Sequence, residues 1–255
     1  MALPTTDESR ALLAHADEEG WWFRAKEDIV ARMLRPHLTA TCRALVIGIG
    51  GGGTVRRLRQ MAPAGTVTGL DIDPDAVALL QRIDPAGTYR VADVERDVLG
   101  EPASMDLAVA LDVIEHLDDD RGVVARVHEV LAPGGLFAVH VPAHPWLFSS
   151  HDEHLGHRRR YRPREVAALL RASGFEIVHA TPLFMTTLVL LGVWRQGVQR
   201  LLRTRTHQSD VSMQLPGPAD ALLYAISRAE GEAARLRLPF GSSQFVLARR
   251  RPASL

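Results

Sequence analysis

Residues 44–53 read Ala-Leu-Val-Ile-Gly-Ile-Gly-Gly-Gly-Gly, and this stretch decides the fold. Its apolar first half is typical of a short buried strand, and a helical pattern begins at Thr54 with Val55, Leu58 and Met61 on one face. Glycines between a strand and a helix let a ligand lie against bare backbone, because they lack a Cβ and adopt positive φ easily. The free N–H groups at the start of the helix then face that ligand.

A carboxylate follows this turn at a spacing that favours a nucleoside-containing ligand. The apolar run 66–70 predicts a second strand, and Asp71 ends it about 20 residues after the glycines, where a carboxylate can accept hydrogen bonds from ribose hydroxyls. Taken alone, the glycine run is also compatible with a tight turn that holds no ligand. The position of Asp71 argues against that alternative.

The rest of the chain alternates strand and helix patterns. Asp73 and Pro74 predict a helix start, with Asp73 as the N-cap. Further apolar runs predict strands at 87–91, 106–111, 136–141, 175–180 and 244–249. Such alternation predicts an α/β fold with a mostly parallel sheet that is covered by helices on both faces. Because ligands bind at the carboxyl ends of such strands, we expect Asp71, Asp93 and Asp112 to gather beside the glycine turn.

Bulk composition excludes several classes of protein. The chain has 255 residues, and thirty basic side chains balance thirty acidic ones, so no global field favours nucleic acid. Cys42 is the single cysteine, which excludes an intrachain disulfide and a cysteine-based zinc site. The first residues lack the pattern of a secretion signal, and no apolar stretch reaches the length of a membrane span. We therefore expect a cytoplasmic location.

Two segments lie outside the predicted sheet. Residues 7–37 have a helical pattern, so residues 1–40 are predicted to form an N-terminal helical lid. Residues 183–238 are predicted to form a helical cap inserted before the last strand, which leaves 41–182 and 239–255 as the ligand-binding domain. The cap either packs on the sheet or presents an amphipathic surface to a membrane or a second subunit.

Three adjacent aromatic residues mark the lid. Neighbouring helix positions point about 100° apart, so one core face cannot take Trp21, Trp22 and Phe23 together. These rings either plug the domain or form an aromatic lid over the ligand pocket, with Arg24 at its edge.

Five motifs occur in order along the chain. They are Ile-Gly-Ile-Gly-Gly-Gly at 47–52, Gly-Leu-Asp-Ile-Asp at 69–73, Ala-Asp-Val at 92–94, Leu-Asp-Val-Ile-Glu-His-Leu at 111–117 and Leu-Ala-Pro-Gly-Gly at 131–135. This set resembles the class I S-adenosylmethionine-dependent methyltransferases over roughly residues 40–181 and the final strand. Segments 21–24 and 151–161 are similar to those of a bacterial small-molecule branch, the methyltransferase type 11-like proteins.

The resemblance implies a fold, a cofactor and a reaction. The fold is Rossmann-like, with a seven-stranded, mostly parallel sheet. The cofactor is S-adenosylmethionine, which leaves as S-adenosylhomocysteine. The reaction is methyl transfer to an oxygen, nitrogen or carbon of a small-molecule acceptor, with natural products and sugar- or nucleotide-linked compounds among the candidates.

The resemblance also implies roles for individual residues. Gly48, Gly50 and Gly52 would lie against the methionine part of the cofactor. Asp71 would hold the ribose hydroxyls, and Ile72 would lie beside the adenine.

Other cofactor contacts follow from the later motifs. Asp93 would meet the adenine amino group, and Asp112 would line the pocket floor near the sulfonium. The remaining candidates for cofactor contact are Trp22, Arg24, Val94, Leu111 and His116.

One position departs from the family pattern. The family usually has an acidic residue two positions before its first glycine, where it helps to orient the amino group of the cofactor, and this chain has Val46 there. Because of this departure, a second alternative is a protein that keeps the fold but does not transfer methyl groups. A third alternative is an enzyme that acts at a membrane surface on a lipid or lipid-linked substrate, because residues 183–205 are apolar at first and then rich in arginine.

Histidines are concentrated after the fifth predicted strand, in the segment 140–157. His154 or His157 is a candidate base or acceptor-orienting group, because imidazole titrates near neutrality, and Tyr161 completes the candidate catalytic set. The alternative is a set of hydrogen-bonded loop residues. A metal site of His151, His154 and His157 is disfavoured, because this spacing does not bring three groups to one helix face and Gly156 interrupts a helix. We therefore expect no metal.

A local basic cluster follows these histidines, at positions 158, 159, 160, 162 and 164. Arginine can bind phosphate or carboxylate with two hydrogen bonds, which indicates an anionic acceptor, but salt bridges to residues 118–120 explain the cluster equally well. A nucleic-acid acceptor is disfavoured by the neutral net charge and by the sequence after the fourth strand. The sequence leaves monomer and homodimer open, and peripheral membrane contact as well.

Overall fold

The computed structural model describes residues 20–193, 217–233 and 240–251. Its helices are α1 (Trp21–Leu34), α2 (Gly53–Met61), α3 (Pro74–Ile83), α4 (Asp120–Val130), α5 (Ser150–His154), α6 (Glu165–Ala172), α7 (Met185–Val193) and α8 (Gly217–Ala233). Its strands are β1 (Arg43–Ile47), β2 (Thr66–Asp71), β3 (Thr88–Val91), β4 (Met105–Leu111), β5 (Leu131–Pro142), β6 (Phe175–Leu183) and β7 (Ser243–Arg250). Short 3-10 turns lie at Arg35–His37, Ile114–His116 and Pro145–Leu147.

The seven strands form one sheet in the order β3-β2-β1-β4-β5-β7-β6. Strands β1 to β5 pair in parallel, and β7 runs antiparallel to both of its neighbours. The sequence prediction of a seven-stranded, mostly parallel sheet is therefore confirmed. The order reverses between β1 and β4, and a reversal of this kind opens a crevice at the carboxyl ends of the strands.

Two hydrophobic clusters cover the two faces of the sheet. Val46 of β1 belongs to the cluster that includes Ile29 of α1 and Leu58 of α2. Its neighbour Ile47 belongs to the other cluster, with Leu170 of α6. Successive strand residues point to opposite faces, so β1 is buried on both sides and helices cover both faces as predicted.

Local signals fix several helix starts. The Asp73 carboxylate accepts the N–H of Asp75 at 3.0 Å, and Pro74 occupies the first turn of α3, as the sequence predicts. Asp119 caps α4 in the same way by accepting the N–H of Gly122 at 2.9 Å. A side-chain acceptor at this position satisfies an N–H that has no partner within the helix.

The structure differs from the sequence prediction at several element boundaries. Strand β5 begins at Leu131, five residues before the predicted start at 136, and the segment that follows it contains a 3-10 turn and α5. The Asp152 carboxylate accepts the N–H of Ser149 at 2.9 Å and so supports this single turn without any apolar repeat. Strand β6 extends to Leu183, three residues beyond its predicted end at 180.

The lid and cap are helical where the structure describes them, in α1, α7 and α8. The predicted helical residues 7–19, 194–202 and 234–238 lie outside the described residues. The domain boundaries at 40, 182 and 238 stay predictions. No helix within the described ranges is both long and apolar enough to cross a membrane.

Candidate functional site

The strand ends bring the predicted residues to one edge of the sheet. The N–H of Gly48 donates to Leu70 O at 2.8 Å, and the N–H of Ala92 donates to Asp71 O at 2.8 Å. On the other side of β1, the N–H of Asp112 donates to His140 O at 2.9 Å. The backbone ladder therefore aligns the glycine turn with the residues that follow β2, β3 and β4.

The glycine turn requires glycine at specific positions. Gly48, Gly50 and Gly52 have φ values of +74°, +46° and +86°. A Cβ at Gly48 would lie 2.6 Å from Cγ2 of Val113, so this position has neither the backbone conformation nor the space for a side chain. The turn delivers the chain into α2, whose first N–H groups open toward the same edge.

The Asp71 carboxylate faces this turn. One of its oxygens accepts the N–H of Gly50 at 3.1 Å, and the other accepts the N–H of Asp73 at 2.9 Å. A carboxylate has about four acceptor sites, so both oxygens retain capacity for the two hydroxyls of a ribose. Ile72, which follows directly, is 72% exposed and offers an apolar surface beside them. These residues fit a nucleoside as the sequence predicts.

The loop after β3 is built by local hydrogen bonds. The Asp93 carboxylate accepts the N–H of Glu95 at 3.0 Å, and the N–H of Asp93 donates to Asp97 at 2.8 Å. Val94 is 8% exposed and packs in the second core cluster. Asp93 is therefore at the crevice edge, whereas the Val94 side chain points into the protein.

Asp112 is the centre of a buried polar network. Its backbone has a positive φ of +56°, and its carboxylate lies 2.7 Å from Lys26 Nζ and 2.7 Å from His140 Nδ1. Burial opposes the charged form, but the Lys26 ammonium and the His140 imidazole hold the pKa of Asp112 below its ordinary value. This carboxylate stays ionised at neutral pH and ties α1 to the ends of β4 and β5.

The aromatic residues of α1 pack into the domain. The Trp22 ring lies 5.6 Å from that of Phe184 and 6.0 Å from that of His140, and Lys26 Nζ sits 4.5 Å from its centroid. Arg24 points toward α8, where it pairs with Asp220. The plug alternative therefore describes Trp22, and Arg24 is not among the residues gathered at the crevice.

Glu27 of α1 also reaches the glycine turn, and the sequence analysis missed it. A Cβ on Gly53, the first residue of α2, would lie 1.5 Å from Oε1 of Glu27. Val46, where the family usually has its acid, is 1% exposed and packs among apolar side chains. A second carboxylate beside the glycine turn, in addition to that of Asp71, thus comes from α1, at a position that no motif spacing marks.

The structure brings together two of the predicted histidines and leaves a third outside. His116 and His157 have ring centroids 4.8 Å apart, whereas His154 is exposed on α5. His157 Nδ1 lies 2.9 Å from the Asp152 carboxylate, and His116 Nδ1 lies 3.2 Å from Gly156 O. His116, which follows Asp112 by four residues, thus packs against His157 from the loop after β5.

The Tyr161 side chain is buried and its hydroxyl is hydrogen-bonded within the protein. Its hydroxyl lies 3.0 Å from Ile114 O and 2.8 Å from the Asp120 carboxylate, and the residue is 3% exposed. Burial and the Asp120 hydrogen bond raise the pKa of Tyr161 above its ordinary value. A neutral, enclosed hydroxyl that joins the loop to α4 does not favour the catalytic role expected from the sequence.

The arginine cluster is engaged by carboxylates. Arg158 pairs with Asp118 at 2.7 Å, and Arg159 pairs with Asp120 at 3.2 Å. Arg160, which is 8% exposed, pairs with Asp152 at 2.7 Å. These contacts favour the salt-bridge explanation over binding of an anionic acceptor.

The comparisons with known proteins agree with this geometry. Residues 45–137, which run from β1 into β5, match a family model described as a methyltransferase domain. Residues 45–137 are therefore similar to a methyltransferase domain. The resemblance drawn from the five motifs is thereby confirmed, and the matched residues include the glycine turn and strands β2, β3 and β4.

Relatives of the methyltransferase domain include curated proteins and solved structures. A probable S-adenosylmethionine-dependent methyltransferase of Mycolicibacterium smegmatis is 33% identical over 69% of this chain and 66% of its own length. A ubiquinone biosynthesis O-methyltransferase of Pseudomonas aeruginosa is 29% identical over 53% of this chain and 65% of its own length. Each match spans just under two thirds of the relative. The crystal structure of an S-adenosylmethionine dependent methyltransferase from Mesorhizobium loti shares the fold, with a TM-score of 0.57, 18% identity and coverage of 86% of this chain and 96% of that one.

Proposed function

We propose that this protein is an S-adenosylmethionine-dependent methyltransferase that acts on a small-molecule acceptor. The observation that carries the proposal is the Asp71 carboxylate, which is held by the N–H groups of Gly50 and Asp73 and faces the glycine turn at the edge where the strand order reverses. The relatives support it, because their names include an S-adenosylmethionine-dependent enzyme and a small-molecule O-methyltransferase.

The residues present would hold each part of the cofactor. Asp71 would bind the ribose, Ile72 would cover the adenine, and the glycine turn would face the methionine part. Glu27 would accept a hydrogen bond from the amino group, in the place of the acid that Val46 replaces.

For methyl transfer, the protein mainly has to position the two reacting groups. A bound sulfonium supplies an activated methyl group with a neutral leaving group. The protein must hold the acceptor atom in line with that methyl group and exclude water, which Trp22 and the buried network around Asp112 help to do. A base is needed only for an acceptor whose proton must leave early.

The acceptor class follows from what lines the loop after β5. Three of the five arginines there, Arg158, Arg159 and Arg160, are paired with carboxylates, so we favour an acceptor that is recognised by apolar contact and hydrogen bonds over a strongly anionic one. Contact with a membrane surface would involve the cap and remains the alternative to a freely diffusing acceptor; liposome flotation separates the two.

Cofactor binding by Asp71→Asn tests the proposal directly. Replacing the carboxylate removes a charged acceptor from the ribose, so calorimetry should show affinity for S-adenosylhomocysteine about 10- to 100-fold weaker, equivalent to roughly 1.5–3 kcal/mol. Glu101→Gln removes an exposed carboxylate in the loop before β4 and should leave the affinity unchanged.

Two outcomes would overturn the proposal. Equal affinity in the wild type and in Asp71→Asn would remove the assignment of Asp71. Failure of the wild type to transfer a radiolabelled methyl group to any member of a broad acceptor panel, despite tight cofactor binding, would favour the non-methylating alternative.

A further inference from the structure

Three side chains with metal-binding chemistry converge below the crevice. Among the residues that the structure describes, one carboxylate oxygen of Glu115 and one ring nitrogen each of His116 and His157 all lie within 4.8 Å of one another. Glu115 and His116 belong to the 3-10 turn after β4. The backbone ties the loop of His157 to this turn, because the N–H of Arg158 donates to Glu115 O at 2.9 Å.

Glu115 lacks a partner that its burial requires. The residue is 0% exposed, and neither carboxylate oxygen has a hydrogen-bond partner. An isolated buried carboxylate is costly, and binding of a cation is one of the few arrangements that compensates for it.

The two histidines are held in the tautomer that a metal requires. His157 Nδ1 lies 2.9 Å from the Asp152 carboxylate, and His116 Nδ1 lies 3.2 Å from the carbonyl of Gly156. Carboxylate and carbonyl oxygens only accept, so each Nδ1 carries the proton and each Nε2 keeps a lone pair. Hydrogen bonds of this kind orient histidine ligands in metal sites.

The surrounding residues stabilise that arrangement. Asp152 is fully buried and is itself fixed by Arg160 Nε at 2.7 Å and by the N–H of Ser149 at 2.9 Å. His116 packs edge-on against His157, with the ring centroids 4.8 Å apart. Two imidazoles and one carboxylate that lacks a hydrogen-bond partner are thus held in place by their neighbours.

We propose that Glu115, His116 and His157 form a binding site for a divalent transition-metal ion. Imidazole and carboxylate ligands suit zinc and its neighbours in the first transition row better than magnesium or calcium, which prefer oxygen ligands throughout. Two ligand atoms that each lie about 2.1 Å from a tetrahedral zinc ion are about 3.4 Å apart, so the three side chains must close by up to about 1.4 Å. Three protein ligands leave at least one coordination position open.

The open position gives the site a role that rests on the proposed function. Glu115 follows Asp112 by three residues, in the 3-10 turn after β4. There the ion would coordinate an acceptor oxygen and lower the pKa of its hydroxyl, which would serve the early loss of a proton that O-methylation needs. The binding site itself stands on Glu115, His116 and His157 whether or not methyl transfer occurs.

Zinc binding to the full chain, after treatment with a chelator, tests the site. Calorimetry should show one zinc ion per chain for the wild type. Glu115→Gln and His157→Ala should each weaken binding by at least about 100-fold, because each removes a ligand. Asp152→Asn keeps all three ligands but loosens His157, so the expected loss is about 10- to 100-fold. His37→Ala removes an exposed histidine at the end of α1 and should bind zinc like the wild type.

Thermal unfolding separates loss of the site from loss of the fold. Without metal, Glu115→Gln should unfold at or above the wild-type temperature, because it removes a buried carboxylate that lacks a partner. Added zinc should raise the unfolding temperature of the wild type and leave that of Glu115→Gln unchanged.

Three results would bear on the proposal in different ways. A wild type that binds no zinc, cobalt or iron(II) overturns it, as does affinity that is equal in the wild type and in Glu115→Gln. Zinc binding that depends on Glu115 in a protein that transfers no methyl group supports the site and refutes the proposed function instead. Methyl transfer that persists unchanged in a chelated enzyme, together with no metal binding, refutes the site and leaves the proposed function standing.

Discussion

Glu27 on helix α1 places a carboxylate beside the glycine turn, whereas the first motif has Val46 where the family usually has an acidic residue. Val46 is buried among apolar side chains, and the Glu27 carboxylate lies against Gly53 at the start of α2. A carboxylate there can accept hydrogen bonds from a cationic amino group, and it also complements the positive end of α2. The departure at Val46 therefore does not by itself indicate that cofactor binding is lost.

Glu27→Gln should distinguish binding of the amino-acid part of the cofactor from binding of its nucleoside. We expect its affinity for S-adenosylmethionine to fall about 10-fold, because the amino group loses a charged acceptor worth roughly 1.5 kcal/mol. Its affinity for methylthioadenosine, which has the nucleoside but no amino-acid part, should not change, whereas Asp71→Asn should weaken both ligands. The matched control is Glu176→Gln, an exposed glutamate on β6. Equal loss for both ligands in Glu27→Gln would contradict the assignment.

Asp71 could be predicted from the sequence, and Glu27 could not. Asp71 stands at a fixed distance from the glycine turn, because one strand and one helix of ordinary length separate them. Glu27 belongs to a helix outside the sheet, and only the packing of α1 on α2 brings it to Gly53. The Glu115 site was missed for a similar reason, since the loop folds His157 onto His116 and leaves His154 exposed.

The glycine turn shows how an element can require one residue type for two reasons at once. Gly48 and Gly134 both have positive φ, of +74° and +81°. A Cβ on Gly48 would meet Val113 at 2.6 Å, whereas a Cβ on Gly134 would meet nothing within 4 Å. Both positions thus have a backbone conformation that disfavours a side chain, but only Gly48 also lacks the space for one.

Alanine at these two positions should distinguish strain from crowding. Gly134→Ala should lower the free energy of unfolding by about 1–2 kcal/mol, the cost of the left-handed backbone alone. Gly48→Ala should lower it by about 2–4 kcal/mol, because overpacking against Val113 adds to that cost. Urea denaturation followed by circular dichroism measures both values. Equal losses of unfolding free energy in the two variants would show that the Val113 side chain moves aside without measurable cost.

Elements with a repeating pattern were predictable, and those held by single contacts were not. The strands were predicted to within a few residues, because a buried parallel sheet needs continuous apolar runs. Helix α5 has five residues and no apolar repeat, and the Asp152 carboxylate supports its first turn. Apolar periodicity cannot reveal a five-residue helix whose first turn is held by the capping box of Ser149 and Asp152.

At the scale of the whole molecule, helix α1 packs against helix α8. The N–H of Trp21 donates to Asp220 at 2.9 Å, and the hydroxyl of Tyr224 donates to Asp28 at 2.5 Å. Helices α1 and α8 also approach closely at Gly231, where a Cβ would lie 2.3 Å from Cγ1 of Ile29. Nearly two hundred residues separate these partners, so no local pattern in the sequence could have predicted their contact.

Gly231→Ala tests this packing. Glycine to alanine within a helix ordinarily stabilises it by about 1 kcal/mol. Here we expect lower stability and faster hydrogen exchange in α1, because the added methyl group pushes against Ile29. Gly217→Ala, at an open position on the same helix, should be neutral or stabilising. Unchanged exchange in α1 for Gly231→Ala would contradict the packing of α1 on α8.

Consecutive residues of α1 connect two distant parts of the molecule. Glu27 contacts the glycine turn, while Asp28 accepts a hydrogen bond from α8. Because these two residues are neighbours in one helix, a ligand that fixes Glu27 should also restrain α8. Thermodynamic linkage makes this influence mutual, so a ligand that contacts α8 should bind more tightly once the cofactor is bound.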